Sequence, residues 1–454
     1  MEFILMHKDI AVMKFHINED SDIKNITEIY NADHMPFSTK GSTNNNLFAI
    51  KEWWKDRSIP ITRDEYDRTI SNLPGENSMS LVVKAHALSL TDQYWIKGVD
   101  EDIRYDDVSF FSNNYANDIG DIFIGKKKKG TISFYSPDST STGNLKKRWK
   151  TIAGQRYLYK AGSKPHQYEI FNEIIASKIM NILDIDHVDY DLAYDEDMMF
   201  CKSLDFISYN EDFVSAYQLS KYKPKKNDIS LYDHLMSIMK ELRVPDYQKK
   251  INQMLFIDYL IGNVDRHLSN FGVIRDAKTL QFVRFAPIFD SGSSFGYNLL
   301  DKDLLRLKEI DWLPFKSSKH KDQLSLINDY SWLNNNALET IPKQIEQLLI
   351  LHGEYISKER RNAIINFLIN RINDYFAYQH IDKKASLHSV DLTALEEDIL
   401  FYTYCHGNKL TDFDELMKEF DIAYITIYRA VSSLTKKGLL IRKGARKNGY
   451  WILP

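Results

Sequence analysis

Cysteine is nearly absent: only Cys201 and Cys405 occur in 454 residues, far apart and without metal-ligand spacing. That scarcity excludes a disulfide framework and a zinc finger, and it points to a reducing cytoplasm. No apolar run approaches the roughly 18 residues that a bilayer-spanning helix requires. The opening "MEFILMHKDIAV" is interrupted by His7, Lys8 and Asp9 too soon to act as a signal peptide. A soluble, cytoplasmic chain without membrane partners is therefore expected. Internal repeats and long low-complexity tracts are missing too, which excludes solenoids and disordered scaffolds. A net charge of −4 names no partner for the molecule as a whole. The length does exclude a single ordinary core, so several domains are expected.

Local patterns divide the chain. "IAVMKFHI" alternates like a strand, and "NLFAIKEWWKDRSIPITRDEYDRTI" carries a helix that Pro60 should stop. Trp53, Trp54, Tyr94 and Trp95 read as core, while Arg57 and Arg63 are candidates for binding phosphate or a partner. The basic run "GKKKKG" reads as a solvated loop, and "QRYLYKAG" as a short strand ended by glycine. In the following segment Ile170, Ile174, Ile175, Ile179 and Leu183 line one face of a helix. From about Phe206 to His380 the pattern is mainly helical. Beyond it, Thr393 and Glu396 have capping-box spacing, two more helices follow, and Gly438 closes the last. "LLIRKGARKNGYWIL" then reads as a hairpin with Gly444 and Gly449 in its loop. Three short helices before a hairpin make a winged-helix pattern.

The densest polar stretch is "IGNVDRHLSNFGVIRD", in which Asn263, Asp265, His267 and Asn270 sit between two apolar segments. Phosphoryl transfer asks a protein for positioning and charge neutralisation. It needs one carboxylate to orient the attacking hydroxyl and neutral or acidic oxygens to hold Mg²⁺. Asp265 and Asn270 have the D-x-x-x-x-N spacing of kinase catalytic loops, and Asp290 in "APIFDSGSSF" ends a later apolar strand as a metal carboxylate would. Upstream, Lys160 is the candidate phosphate lysine. Its partner is Glu173 or, one turn earlier, Glu169.

This set resembles the HipA-like family of bacterial serine/threonine kinases. The carrying motifs are "VDRHLSN", Pro287 with Asp290, and the Asn172–Glu173 pair, and the resemblance covers roughly residues 130–380. It implies an α+β, two-lobed protein-kinase-like fold using ATP and Mg²⁺ on a protein Ser/Thr substrate. Asp265 would be the catalytic base, His267 a structural member of its loop, and Asn270 and Asp290 the metal ligands. Lys160 and Glu173 would serve the nucleotide. "TSTGNLKK" loosely matches the family's Ser-rich phosphate loop through Gly143 and Lys147. Self-phosphorylation that switches such enzymes off would fall on Thr140, with Ser139 and Ser141 beside it. The expected layout is an N-terminal subdomain over 1–125, a small lobe over 126–205, a helical large lobe over 206–385 and a winged helix-turn-helix over 386–454.

The tail departs from that resemblance. From Ala423 onward no acidic residue occurs, whereas Arg429, Lys436, Lys437, Arg442, Lys443, Arg446 and Lys447 are basic. This asymmetry suits double-stranded DNA, with Tyr424, Thr426, Tyr428 and Arg429 near the start of a recognition helix. Dimerisation, or docking on the rest of the chain, is the competing use. Many relatives take their DNA-binding element from a separate antitoxin, so an antitoxin-like partner or a homodimer is also open. The whole reads either as a kinase, of toxin type or self-regulating, or as a transcription regulator whose kinase-like part senses nucleotide.

Overall fold

The structure is a computed structural model of the chain. It describes residues 1–39, 46–63, 66, 70, 73, 76–126, 130–304, 315, 320–388, 391–444 and 449–454. The fold is mixed α+β, in two compact units, Met1–Asn334 and Asn335–Pro454.

The first unit opens with β1 (Glu2–His7), β2 (Ile10–Ile17) and β3 (Ile23–Ile29), then α1 (Asn46–Asp56) and β4 (Tyr94–Gly98). The strands form one antiparallel sheet in the order β3-β2-β1-β4. Alternation along β2 buries Met13, Phe15 and Ile17 in one core with Trp54 and Ile96. Trp53, Trp54, Tyr94 and Trp95 are all buried, as expected. Arg57 is buried as well: it donates to the Ala87 carbonyl and pairs with Asp92 at 2.8 Å. Those bonds occupy the donors an external phosphate would need, so Arg57 is a structural residue.

A second sheet has the order β5-β6-β8-β7, from β5 (Lys147–Ile152), β6 (Gln155–Lys160), β7 (Tyr190–Asp195) and β8 (Met198–Leu204). Tyr157 and Tyr159 pack on one face of β6 with Ile124, Ala193 and Phe200, which leaves Lys160 and Leu158 on the other. Between β6 and β7 runs α2 (Tyr168–Ile182), with Ile170, Ile174, Ile175, Ile179 and Leu183 buried as their spacing requires. Residues 205–210 then lead to a third sheet, in which β10 (Gly272–Asp276) lies between β9 (Glu211–Ser215) and β11 (Phe282–Phe285). β9 lies inside the stretch expected to be mainly helical. Five residues are too few to show a period, and pairing with β10 makes them a strand.

Before β10 comes α3 (Tyr247–Ile261), buried continuously from Ile251 to Ile261. Gly262 ends it at φ +63°, a conformation that costs glycine little. The segment joining α3 to β10 is the polar stretch singled out in the sequence.

In the second unit α4 (Asn335–Leu351) and α5 (Lys358–His388) precede α6 (Ala394–Cys405), β12 (Lys409–Leu410), α7 (Phe413–Phe420), α8 (Tyr424–Lys436), β13 (Ile441–Lys443) and β14 (Tyr450–Ile452). The strands pair in the order β12-β14-β13 over a core that includes Ile399, Leu416, Ile427, Val431 and Leu434. The expected capping box is present: Glu396 N donates to Thr393 Oγ1 and Thr393 N to Glu396 Oε2. Gly438 follows α8 at φ +74°. Among the described residues no helix is long and apolar enough to cross a membrane.

Candidate active site

Lys160 ends β6 and is almost fully buried, yet its ammonium has two carboxylate partners. It donates to Glu173 Oε1 at 2.7 Å and forms a second, shorter ion pair with Asp290. The choice between the two glutamates is thereby made. Glu169 turns back to the N–H and hydroxyl of Ser163, and Glu173 faces the lysine. Burial alone would lower the lysine pKa, but Asp290 and Glu173 raise it well above its ordinary value. Burial likewise opposes ionisation of Asp290, and Lys160 and Lys147 still hold its carboxyl well below the usual range.

Helix α2 also grips the segment after Asp290. Glu173 Oε2 accepts from Ser291 N at 2.8 Å, and Asn172 donates to the carbonyls of Gly292 and Ser294 at 3.0 and 2.7 Å. A Cβ on Gly292 would stand 3.1 Å from the Glu169 carbonyl oxygen and 3.2 Å from Glu173 Oε1, so a side chain there would make α2 and this segment give by a few tenths of an ångström.

The Asp265 loop is set from the end of α3. Asn263 donates to Asp258 at 2.9 Å and accepts from Asp265 N at 3.1 Å. Asn270 is buried and donates its side-chain amide to the Asp265 carbonyl at 3.0 Å. His267 shapes the turn: its N–H donates to Asp265 O, and its Nδ1 accepts from Ser269 N. Asp265 is exposed as a residue, but the surrounding protein still withdraws water from its carboxylate and Asp290 adds negative charge. Its pKa is raised despite His267.

Two residues the sequence reading passed over hold this arrangement. Arg266 and Asp258 are completely buried and paired side-on, Nε and Nη2 each donating to one Asp258 oxygen at 2.9 Å. A lone acid inside the apolar run "QMLFIDYLIGN" was the available signal, because a buried carboxylate requires a partner.

Lys147 stands directly opposite Lys160 in the β5–β6 register. Directly opposed like charges destabilise a sheet, and here Glu173 and Asp290 offset the charge of Lys160. Burial, Arg63 and Lys160 push the Lys147 pKa down to about 7. Its ammonium lies against Gly143, which has φ +92° and where any side chain would collide with it. Arg63 is a brace for this loop, donating to Gly143 O at 3.0 Å and Ser141 O at 2.6 Å. The three candidate modification sites are buried: Ser139 Oγ donates to Phe134 O, Thr140 Oγ1 to Leu88 O, and Ser141 Oγ to Asp138 O.

In the second unit Tyr424, Thr426, Tyr428, Arg429 and Lys436 are exposed on α8, and Arg442 and Lys443 are exposed on β13. Arg446 and Lys447 lie outside the described residues. Lys437 is engaged by Glu396 at 2.8 Å and by the Asp391 carbonyl.

The sequence profile of the HipA-like C-terminal domain matches residues 125–351, half of the chain, and the chain belongs to that family. It is 25% identical over 284 residues to the serine/threonine-protein kinase CtkA of Helicobacter pylori, spanning 57% of this chain and 86% of that protein. Among solved structures, the proinflammatory kinase CtkA of H. pylori is similar at 18% identity and TM-score 0.38, over 50% of this chain and 89% of that one. HipA of Shewanella oneidensis, solved with HipB and its operator DNA, is similar at 13% identity and TM-score 0.47, over 82% of this chain and 97% of that one. The profile stops at residue 351, short of α5 to α8.

Proposed function

We propose that the protein is an ATP- and Mg²⁺-dependent protein serine/threonine kinase of two-lobed HipA-like architecture. The observation that carries this reading is Lys160 held between Glu173 on α2 and Asp290 beside the Asp265 loop. Lys160, Lys147 and the backbone turn at Gly143 are read as the seat of the ATP phosphates. Asp265 is read as the base: exposed to an incoming substrate hydroxyl, with a raised pKa suited to accepting its proton. His267 is read as keeping that loop's shape.

The donors present fit magnesium. Asn270 has committed its N–H to Asp265, so its oxygen is the ligating end, and Asp290 is an ionised carboxylate. Among the described residues no group of three or more His, Cys, Asp or Glu forms a cage of its own. Magnesium is commonly held in this shared way, by one or two protein oxygens together with substrate phosphates. When bound, it neutralises charge on the phosphates during transfer.

Thr140, with Ser139 and Ser141, is read as a self-modification site. A phosphate carrying nearly two charges has no place at these buried hydroxyls. Phosphorylation would therefore require the segment to leave its seat, taking Gly143 with it and switching the enzyme off. The tail is read as a winged helix that binds double-stranded DNA through α8 and the β13–β14 hairpin.

Incubation with γ-labelled ATP and Mg²⁺ tests the kinase reading. Asp265→Ala and Asp290→Ala are each expected to lower transfer on the order of a hundredfold or more. Undiminished labelling in both variants refutes it.

A further inference from the structure

We propose that Arg266 is a positioning residue that fixes the spacing between the two candidate metal ligands, Asn270 and Asp290, and thereby sets the affinity for Mg²⁺. The proposal rests on the kinase reading of the site. A guanidinium has five N–H donors in one plane, and here all five are used. Nε and Nη2 donate to the two Asp258 oxygens at 2.9 Å. Nη1 donates to Asn270 O at 2.9 Å and also to Phe289 O, and Nη2 donates to Ser291 Oγ at 3.1 Å. One rigid group therefore touches the ligand Asn270 and both neighbours of the ligand Asp290. Asp258 anchors it to α3 and is itself braced by Asn263.

Stability does not explain the choice of arginine. Replacing a fully buried ion pair by apolar side chains is often neutral or stabilising. What apolar side chains cannot do is hold three backbone segments at fixed separations. Lysine keeps the charge, but its three donors are not planar and it cannot reproduce the fork. Groups just outside a metal's ligands typically change its affinity 10–100-fold when removed.

The test measures binding of a fluorescent ADP analogue to the full chain as Mg²⁺ is titrated, with thermal melting as the control for folding. For Arg266→Lys, the Mg²⁺ concentration at half effect is expected to rise about tenfold or more, while metal-free nucleotide affinity stays within about twofold. An unchanged Mg²⁺ midpoint overturns the proposal. If the lysine variant does not fold, the pair Asp258→Leu with Arg266→Met removes both buried charges, and the same rise in midpoint is expected. A wild-type Mg²⁺ response in that pair also overturns it. Wild-type protein that binds Mg²⁺ and nucleotide without transferring phosphate sinks the kinase reading alone, and the midpoints still decide the role of Arg266. Wild-type protein that binds no nucleotide under any condition overturns both.

Discussion

Replacing Lys160 by methionine tests the electrostatics of the site without reference to catalysis. Methionine fills nearly the same space, so the main loss is the positive charge. Glu173 is completely buried and would keep only its bond from Ser291 N, whereas Asp290, with its side chain 36% exposed, can turn to water. Removing one partner of a buried ion pair costs about 3–5 kcal/mol. The surviving charge-assisted bond puts this case at the lower end, about 3 kcal/mol. Burial already raises the Glu173 pKa against the pull of Lys160, and without the lysine it rises further, so the variant loses stability as pH rises from the unfolded carboxylate pKa to the folded one. The deficit should thus be larger at pH 8 than at pH 5. Adding Glu173→Gln should recover about 2 kcal/mol at pH 8, because a neutral amide replaces the stranded charge. Urea unfolding followed by tryptophan fluorescence reads these differences. A Lys160→Met variant within about 0.5 kcal/mol of wild type at pH 8, a shift no larger than a neutral surface change, would show that no buried charge was stranded.

Three further outcomes are expected. Asp212 is buried and binds His7, Arg275 and Gln93 N, and although burial opposes it, His7 and Arg275 hold its carboxyl well below the ordinary range. Its contribution is complete above the unfolded carboxylate pKa and is lost on acidification. Asp212→Ala should cost about 3–5 kcal/mol at pH 7 and flatten the acid limb of a stability-versus-pH curve. In the tail, burial of Glu396 is outweighed by Lys437, Ser433 and Thr393, which bring its pKa down to about 2. Glu396→Ala removes a capping box and a partly exposed ion pair, so it should destabilise the second unit by about 1–2 kcal/mol at neutral pH, with faster hydrogen exchange at the start of α6 as the readout. For the DNA reading, Arg429→Ala or Lys443→Ala should weaken duplex binding and reduce the salt slope by about one each in fluorescence anisotropy. Binding that ignores salt would count against a phosphate-contacting surface.

Much was legible because it is local. The spacing of Ile170, Ile174, Ile175, Ile179 and Leu183 defines the buried face of α2, and the Thr393–Glu396 spacing marks the start of α6. "VDRHLSN", Pro287 with Asp290, and the Asn172–Glu173 pair together pointed to the family that the profile match shows. Each is a matter of residue type at short separation, where helix period, capping and loop chemistry act.

The remainder depends on separations that no local period encodes. Glu169 and Glu173 lie one turn apart on the same helix, and only the seating of α2 against β6 and Gly292 gives the lysine to Glu173. The β5–β6 register decides that two lysines share one face, because a slip of one residue would turn Lys147 away. Likewise the fivefold role of Arg266 exists only once α3 and two loops have converged on it. The sequence alone determined which side chains were present and which faces they shared within an element. Tertiary packing decided which charges meet, since an ion pair depends on distances between segments that the fold, and not the order of residues, brings together.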